Sequence, residues 1–114
     1  MREWFNAGNV TDIDEPGARG FDLDGVGFFV VRKDGDVYGY RNKCPHTGAP
    51  LEWLPHEFLD LDKSFIECAM HGALFRVDNG LCLRGPCAGQ SLSALDVRID
   101  DGQVMVDVAP LRAV

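Results

Sequence analysis

The chain has no run of about 18 apolar residues, the least a membrane-spanning helix needs, so no segment is expected to cross a bilayer. Its opening, Met1-Arg2-Glu3-Trp4-Phe5-Asn6, carries an acid at the third position and no apolar stretch behind it. No secretory signal is expected there, and the expected compartment is the cytoplasm. Thiols stay reduced in that compartment, so cysteines bind metals more often than each other. Repeats, low-complexity tracts and linkers are all missing. Bases are scarce: 11 Lys and Arg stand against 18 Asp and Glu, a net charge of −7. That balance argues against nucleic acid or an anionic membrane surface as partner and fits a protein with a basic patch. A sustained helical period is missing too; Leu51 to Leu61 is the one candidate, and Pro55 interrupts it. What is present is ordinary for a globular chain: 114 residues, 46% apolar, 25% charged. One domain spanning 1–114 is expected, and disorder, collagen and coiled coil are excluded. That length leaves no room for a large cofactor domain beside it.

The apolar residues group as strands punctuated by turns. Gly25 to Arg32 is rich in β-formers, and Asp34-Gly35 separates it from Val37 to Tyr40. The same grammar recurs at Ala73 to Val77, Asn79-Gly80 and Leu81 to Leu83. It recurs again at Leu95 to Ile99, Asp101-Gly102 and Val104 to Val108. A turn dipeptide between two such runs predicts a hairpin. Val97 and Ile99, then Val104, Val106 and Val108, alternate with polar neighbours as half-buried strands do. Further strands are predicted at Gly20 to Leu23 and around Phe65, Ile66 and Cys68. The expected fold is all-β and antiparallel, with one short helical turn at most.

Two Pro/Gly-rich stretches, Pro45 to Pro50 and Gly85 to Gly89, bracket the segment rich in cysteine and histidine. Two short clusters stand out, Cys44-Pro45-His46 at the first stretch and Cys68-Ala69-Met70-His71 between the two, a C-x-H and a C-x-x-H separated by twenty-one residues. Each lies at a predicted strand end beside a glycine. Two thiolates and two imidazoles admit a tetrahedral zinc site or a [2Fe-2S] cluster with cysteines on one iron and histidines on the other. Zinc modules favour pairs of one residue type. Here each loop offers one Cys and one His, which suits a diamond-shaped cluster gripped from two sides.

The motifs Cys44-Pro-His46-Thr-Gly-Ala-Pro-Leu and Cys68-Ala-Met-His71-Gly-Ala-Leu-Phe resemble those of the Rieske [2Fe-2S] proteins, specifically the soluble Rieske-type ferredoxins. Gly85-Pro86 is similar to that family's proline loop over the cluster. The resemblance implies one [2Fe-2S] cluster, with Cys44 and Cys68 on one iron and His46 and His71 on the other. It also implies a Rieske fold, in which antiparallel sheets form a β base and two loops at about 42–88 form a cluster-binding subdomain. The histidine edge would be the exit for the electron, with Leu51, Pro86 and the loop around Gly72 shielding the sulfurs. The twenty-one residues between the half-motifs exceed the family's usual spacing, and the excess falls in Leu51 to Ser64.

The remaining absences bear on the potential. In the respiratory members a disulfide joins the cluster loops; its positions correspond to Ala49 and Met70, neither of which is cysteine. A serine and a tyrosine that donate hydrogen bonds at the cluster correspond to Ala73 and Phe75, which have no hydroxyl. Hydrogen bonds to the sulfurs favour the reduced cluster, so the potential is expected near the low end of the Rieske range of about −150 to +300 mV.

The function the resemblance implies is that of a one-electron carrier. An NAD(P)H-dependent reductase would feed it, and it would serve a terminal oxygenase that hydroxylates an aromatic ring. The competing readings are the small Rieske subunit of a cytoplasmic nitrite reductase and a redox sensor. Catalysis by the chain itself is not expected, because an oxygenase iron needs two more histidines and a carboxylate and only His56 is left over. No small-molecule substrate is expected. His56 reads as a solvated loop residue, and Cys82 and Cys87 as small, partly buried thiols rather than a local disulfide. Trp53, Leu54, Phe58 and Leu59 read as cover that packs on the base or shields the cluster, with a docking or oligomer contact as the sharper alternative. Asp12, Asp14, Glu15, Asp22, Asp24, Asp60 and Asp62 read as a solvated face that could steer a basic partner. Trp4 and Phe5 read as core or edge-strand cover.

Overall fold

The computed structural model describes residues 2–45, 48–52, 54, 56–69 and 72–112. The chain runs β1 (Trp4–Asn9), a 3-10 turn (Val10–Asp12), β2 (Gly17–Leu23), β3 (Val26–Lys33) and β4 (Asp36–Arg41). Beyond the first ligand loop come β5 (Ile66–Glu67), β6 (Leu74–Phe75), β7 (Cys82–Arg84), β8 (Ala94–Leu95), β9 (Val97–Asp100) and β10 (Gln103–Asp107). A short helix, α1 (Ala109–Arg112), ends the described chain. Among the described residues all the pairings are antiparallel, in three sheets ordered β1-β10-β9, β2-β3-β4-β8 and β5-β6-β7.

Aspartate-glycine pairs set three of the hairpins. Asp24-Gly25 links Leu23 to its partner Val26, Asp34-Gly35 links Lys33 to Asp36, and Asp101-Gly102 links Asp100 to Gln103. Both residues of each pair have positive φ, from 51° to 88°. That is the two-residue turn whose twist matches its strands, and aspartate and glycine tolerate it best. The expected start of β3 at Gly25 is corrected here: Gly25 belongs to a turn between two strands.

β3 divides the interior. Its run Phe28-Phe29-Val30-Val31 is buried throughout, and successive side chains leave opposite faces of the sheet. Phe28 and Val30 enter one core with Ala7, Ile13, Val104, Val106 and Val108. Phe29 and Val31 enter another with Cys44, Leu51, Phe58, Cys68 and Phe75. The first core fills the base; the second reaches the ligand loops. Tyr40 ties the second and third sheets together, its buried hydroxyl donating to the Val77 carbonyl at 2.5 Å. Burial pushes that phenol's pKa up.

The expected strand Leu95 to Ile99 is two strands. Leu95 pairs with Gly39 in the second sheet, whereas Val97 pairs with Val106 in the first. The chain changes sheets at Asp96. Ile99 is about half exposed, so its place in the alternation does not bury it. Trp4 and Phe5 lie on the edge strand β1 as expected. Phe5 packs edge-on against Phe21 and Phe28, and the Arg2 and Arg98 guanidiniums lie over the Trp4 ring. No helix forms within Leu51 to Leu61 among the described residues.

Candidate metal centre

β4 ends at Arg41 and delivers the first loop. The Cys44 N–H donates to the Ala49 carbonyl at 2.8 Å, and the Gly48 N–H donates to the Cys44 carbonyl at 2.7 Å. β5 delivers the second loop with the same pattern. The Cys68 N–H donates to Ala73 at 2.9 Å, and the Gly72 N–H donates to the Cys68 carbonyl at 2.8 Å. In each loop the glycine four residues after the cysteine has positive φ, 77° and 66°. Glycine reaches that conformation without steric penalty. Two separate stretches of chain therefore form equal turns, each opening on a cysteine.

The loops are joined and anchored. The Ala69 N–H donates to the Leu51 carbonyl at 2.8 Å, which ties the second loop to the exit of the first. Asn42 clasps the first loop at its neck: its Oδ1 accepts from the Leu51 N–H at 2.8 Å and its Nδ2 donates to Glu52 at 2.7 Å. The Asn42 N–H donates to the Gly27 carbonyl at 3.0 Å, which fixes the clasp to the turn end of β3. The sequence reading missed Asn42; an asparagine just after a strand was its only signal.

Cys44 and Cys68 are buried in one core. His46 and His71 lie outside the described residues, as do Met70 and Trp53. In the sequence each histidine stands between its cysteine and its glycine. Two buried sulfurs on two joined turns are the thiolate half of the donor set that a thiolate- and imidazole-bound diiron cluster needs, and the described residues fit that half.

Apolar groups share the core of the two cysteines. Leu51, Ala73 and Phe75 are buried, whereas Gly72 and Pro86 are exposed. Gly85 (φ 109°) lies so close to the second loop that a Cβ there would come within 2.9 Å of Ala73 Cα and Cβ. The proline loop thus rests on the turn that carries Cys68. Cys82 and Cys87 are both buried, more deeply than expected, and the Cys87 thiol donates to Cys82 Sγ at 3.0 Å. Burial, then the contact with Cys82, pushes the Cys87 thiol up to about 12.

The insertion between the half-motifs is part of the core. Phe58 is fully buried and stacks on Phe29, with ring centroids 4.2 Å apart. Gly20 makes room for it, since a Cβ there would meet the Phe58 ring at 3.0 Å. Leu59 pairs with Ile66. His56 is exposed but not idle: its Nδ1 accepts from the Gly20 N–H at 2.9 Å and moors the insertion to β2. Leu54 and Leu61 point outward, Leu61 completely.

The seven acids singled out are mostly exposed, yet several have structural work. Asp60 is part-buried, and its Oδ1 accepts from the N–H groups of Ser64 and Phe65 at 2.9 and 3.1 Å. That is a correction to its reading as a solvated acid. Glu15 accepts from the Gly35 N–H and pairs with Arg32, and Asp24 pairs with Arg112. Beside the first loop an open groove of about 890 Å³ is lined by Arg41, Lys43, Glu52 and His56 among others.

The family model for the Rieske [2Fe-2S] domain matches residues 3–106. The ferredoxin component of the naphthalene 1,2-dioxygenase system of Pseudomonas putida is 28% identical over 109 residues, covering 94% of this chain and 97% of that one. Among solved structures, the ferredoxin of carbazole 1,9a-dioxygenase from Nocardioides aromaticivorans IC177 is 27% identical with a TM-score of 0.74, covering 91% of this chain and 96% of that one. A ferredoxin chain from a complex of reduced oxygenase and oxidized ferredoxin of carbazole 1,9a-dioxygenase shares the fold, at 24% identity and a TM-score of 0.77 over 94% of each chain.

Proposed function

Because the chain belongs to the Rieske [2Fe-2S] domain family, we propose that it is a one-electron carrier between an NAD(P)H-dependent reductase and a terminal oxygenase that hydroxylates an aromatic ring. The relatives matched over nearly their whole length are ferredoxin components of dioxygenase systems, which supports this role over a subunit of a nitrite reductase or a sensor. The chain does not itself transform a substrate. Two of its three histidines belong to the cluster motif, and the third, His56, is held by Gly20. The work is done in the cytoplasm; no described helix is long and apolar enough to cross a membrane.

When bound, the cluster supplies a one-electron couple. Cys44 and Cys68 would hold one iron and His46 and His71 the other, with residues of about 42–88 as the cluster-binding part of a single domain. The observation that carries this assignment is the equality of the two turns, each opening on a buried cysteine. The chain's residues then have distinct tasks. The backbone bonds within the turns hold the thiolates in place, and Asn42 holds the turns to the sheet. Leu51 and Phe75 keep water from the sulfurs. Ala73 and Phe75 offer no hydroxyl, which keeps the couple at low potential.

Anaerobic purification tests this reading. A coloured protein with two irons per chain is expected, with a rhombic EPR signal that emerges only on reduction. Cys44→Ser and His71→Ala should each abolish both. A colourless protein with one zinc would overturn the assignment.

A further inference from the structure

We propose that Cys82 and Cys87 are a redox-active pair that closes into a disulfide and fastens the loop resting on the second ligand turn. Their Sγ atoms lie 3.0 Å apart, and closure needs an approach of only about 1 Å. The backbone already holds both ends. The Cys82 N–H donates to Gln90 at 2.8 Å, Gly89 donates to the Cys82 carbonyl at 3.0 Å, and Gln90 donates to Cys87 at 2.9 Å. A further bond, from Ala88 to Gly85 at 3.1 Å, folds the intervening segment back on itself. The two thiols are presented to each other by a loop closed before they react, so their bond costs little ordering.

The reaction is a thiol–disulfide exchange with a small-molecule disulfide. One cysteine thiolate attacks it and releases one thiol; the second cysteine then attacks the mixed disulfide and releases the other. Cys82 and Cys87 together lose two electrons and two protons, and the disulfide becomes two thiols. Both sulfurs are buried, so exchange is slow and proceeds through openings of the loop. The consequence falls on residues 83–86. Gly85 rests on Ala73, whose carbonyl accepts from Cys68. A bridge between the loop's ends holds that lid down over the turn. Bridge formation itself needs no cluster, whereas its effect on iron retention rests on the assignment of Cys68 as a ligand.

The test uses the loaded, oxidised protein in mixtures of glutathione disulfide and glutathione under anaerobic conditions. After an acid quench, free thiols are alkylated in denaturant and the peptides mapped. As the disulfide share rises, the peptide carrying residues 82 and 87 should carry neither alkyl group and weigh two hydrogens less than the unalkylated dithiol, while the visible absorption persists. Cys82→Ser and Cys87→Ser should each prevent the bridge. The bridged protein should also lose iron to a chelator more slowly than Cys82→Ser; equal rates with a confirmed bridge would overturn the lid effect alone. Persistent alkylation of both cysteines, a stable glutathione adduct on either one, or a bridge to Cys44 or Cys68 would each overturn the pairing.

Discussion

Phe58 and Leu61 stand three residues apart in the insertion, one fully buried and one fully exposed, and this contrast makes a quantitative test. Phe58 fills the space over Gly20 and stacks on Phe29 in the core that holds Cys44 and Cys68. Truncating a buried phenylalanine to alanine costs about 3–5 kcal/mol, from lost transfer energy and the cavity left behind. The ring stacking is worth about 0.5–1.5 kcal/mol within that figure. A domain of 114 residues is stable by about 6–17 kcal/mol, at roughly 0.05–0.15 kcal/mol per residue. Phe58→Ala should therefore remove a large share of the total. In urea, with a slope near 2 kcal/mol/M, the midpoint should fall by about 2 M. Leu61→Ala should stay within about 0.5 kcal/mol of the parent. Far-UV circular dichroism would follow the fold and visible absorption the cluster, under anaerobic conditions. Both probes should shift together, because Phe58 and the cysteines share one core. Equal, small effects of the two substitutions would refute the insertion's place in the core and return it to a surface loop.

Other expectations follow from the same contacts. Asn42→Ala strands the N–H of the buried Leu51 and should cost about 1–3 kcal/mol, read as faster iron loss to a chelator; unchanged retention would show that the clasp is dispensable. Phe75→Tyr introduces a hydroxyl at the position that corresponds to the respiratory members' tyrosine and should raise the midpoint in film voltammetry. A parent midpoint in the upper half of the range of about −150 to +300 mV would refute the low-potential reading. Asp107 accepts from the Glu3 and Ala109 N–H groups, and the Glu3 bond foremost holds its carboxyl below the usual aspartate range. A depressed folded pKa gives stability that is present above the ordinary value near about 3.9 and lost as pH falls through the folded one. Asp107→Asn should therefore lower stability at neutral pH and flatten the acid limb in that window, as measured by thermal melts across pH.

The parts of the molecule written in local sequence were the parts that could be read. Aspartate-glycine pairs between β-rich runs marked hairpins, because positive φ at two successive positions restricts the residues that fit. The cysteine spacing marked the two loops for the same kind of reason, each glycine standing four residues after its cysteine. The clasp of Asn42 on Leu51 bridges nine residues through a side chain and leaves no periodic trace. Phe58 finds its seat over Gly20, thirty-eight positions earlier, so its burial depends on tertiary fit. The sheet change at Asp96 was hidden because both halves of the run are equally β-like. β8 is only two residues long, too short to show a pattern.

β3 also makes adjacent residues report on different regions. Phe28 and Phe29 are neighbours in the chain, yet one faces the base core and the other the core beneath the ligand turns. Fluorine labels on the two rings would sit one peptide apart in sequence while sensing separate compartments. Loading or oxidation at the metal end should move the Phe29 resonance, leaving Phe28 as an internal reference within the same molecule.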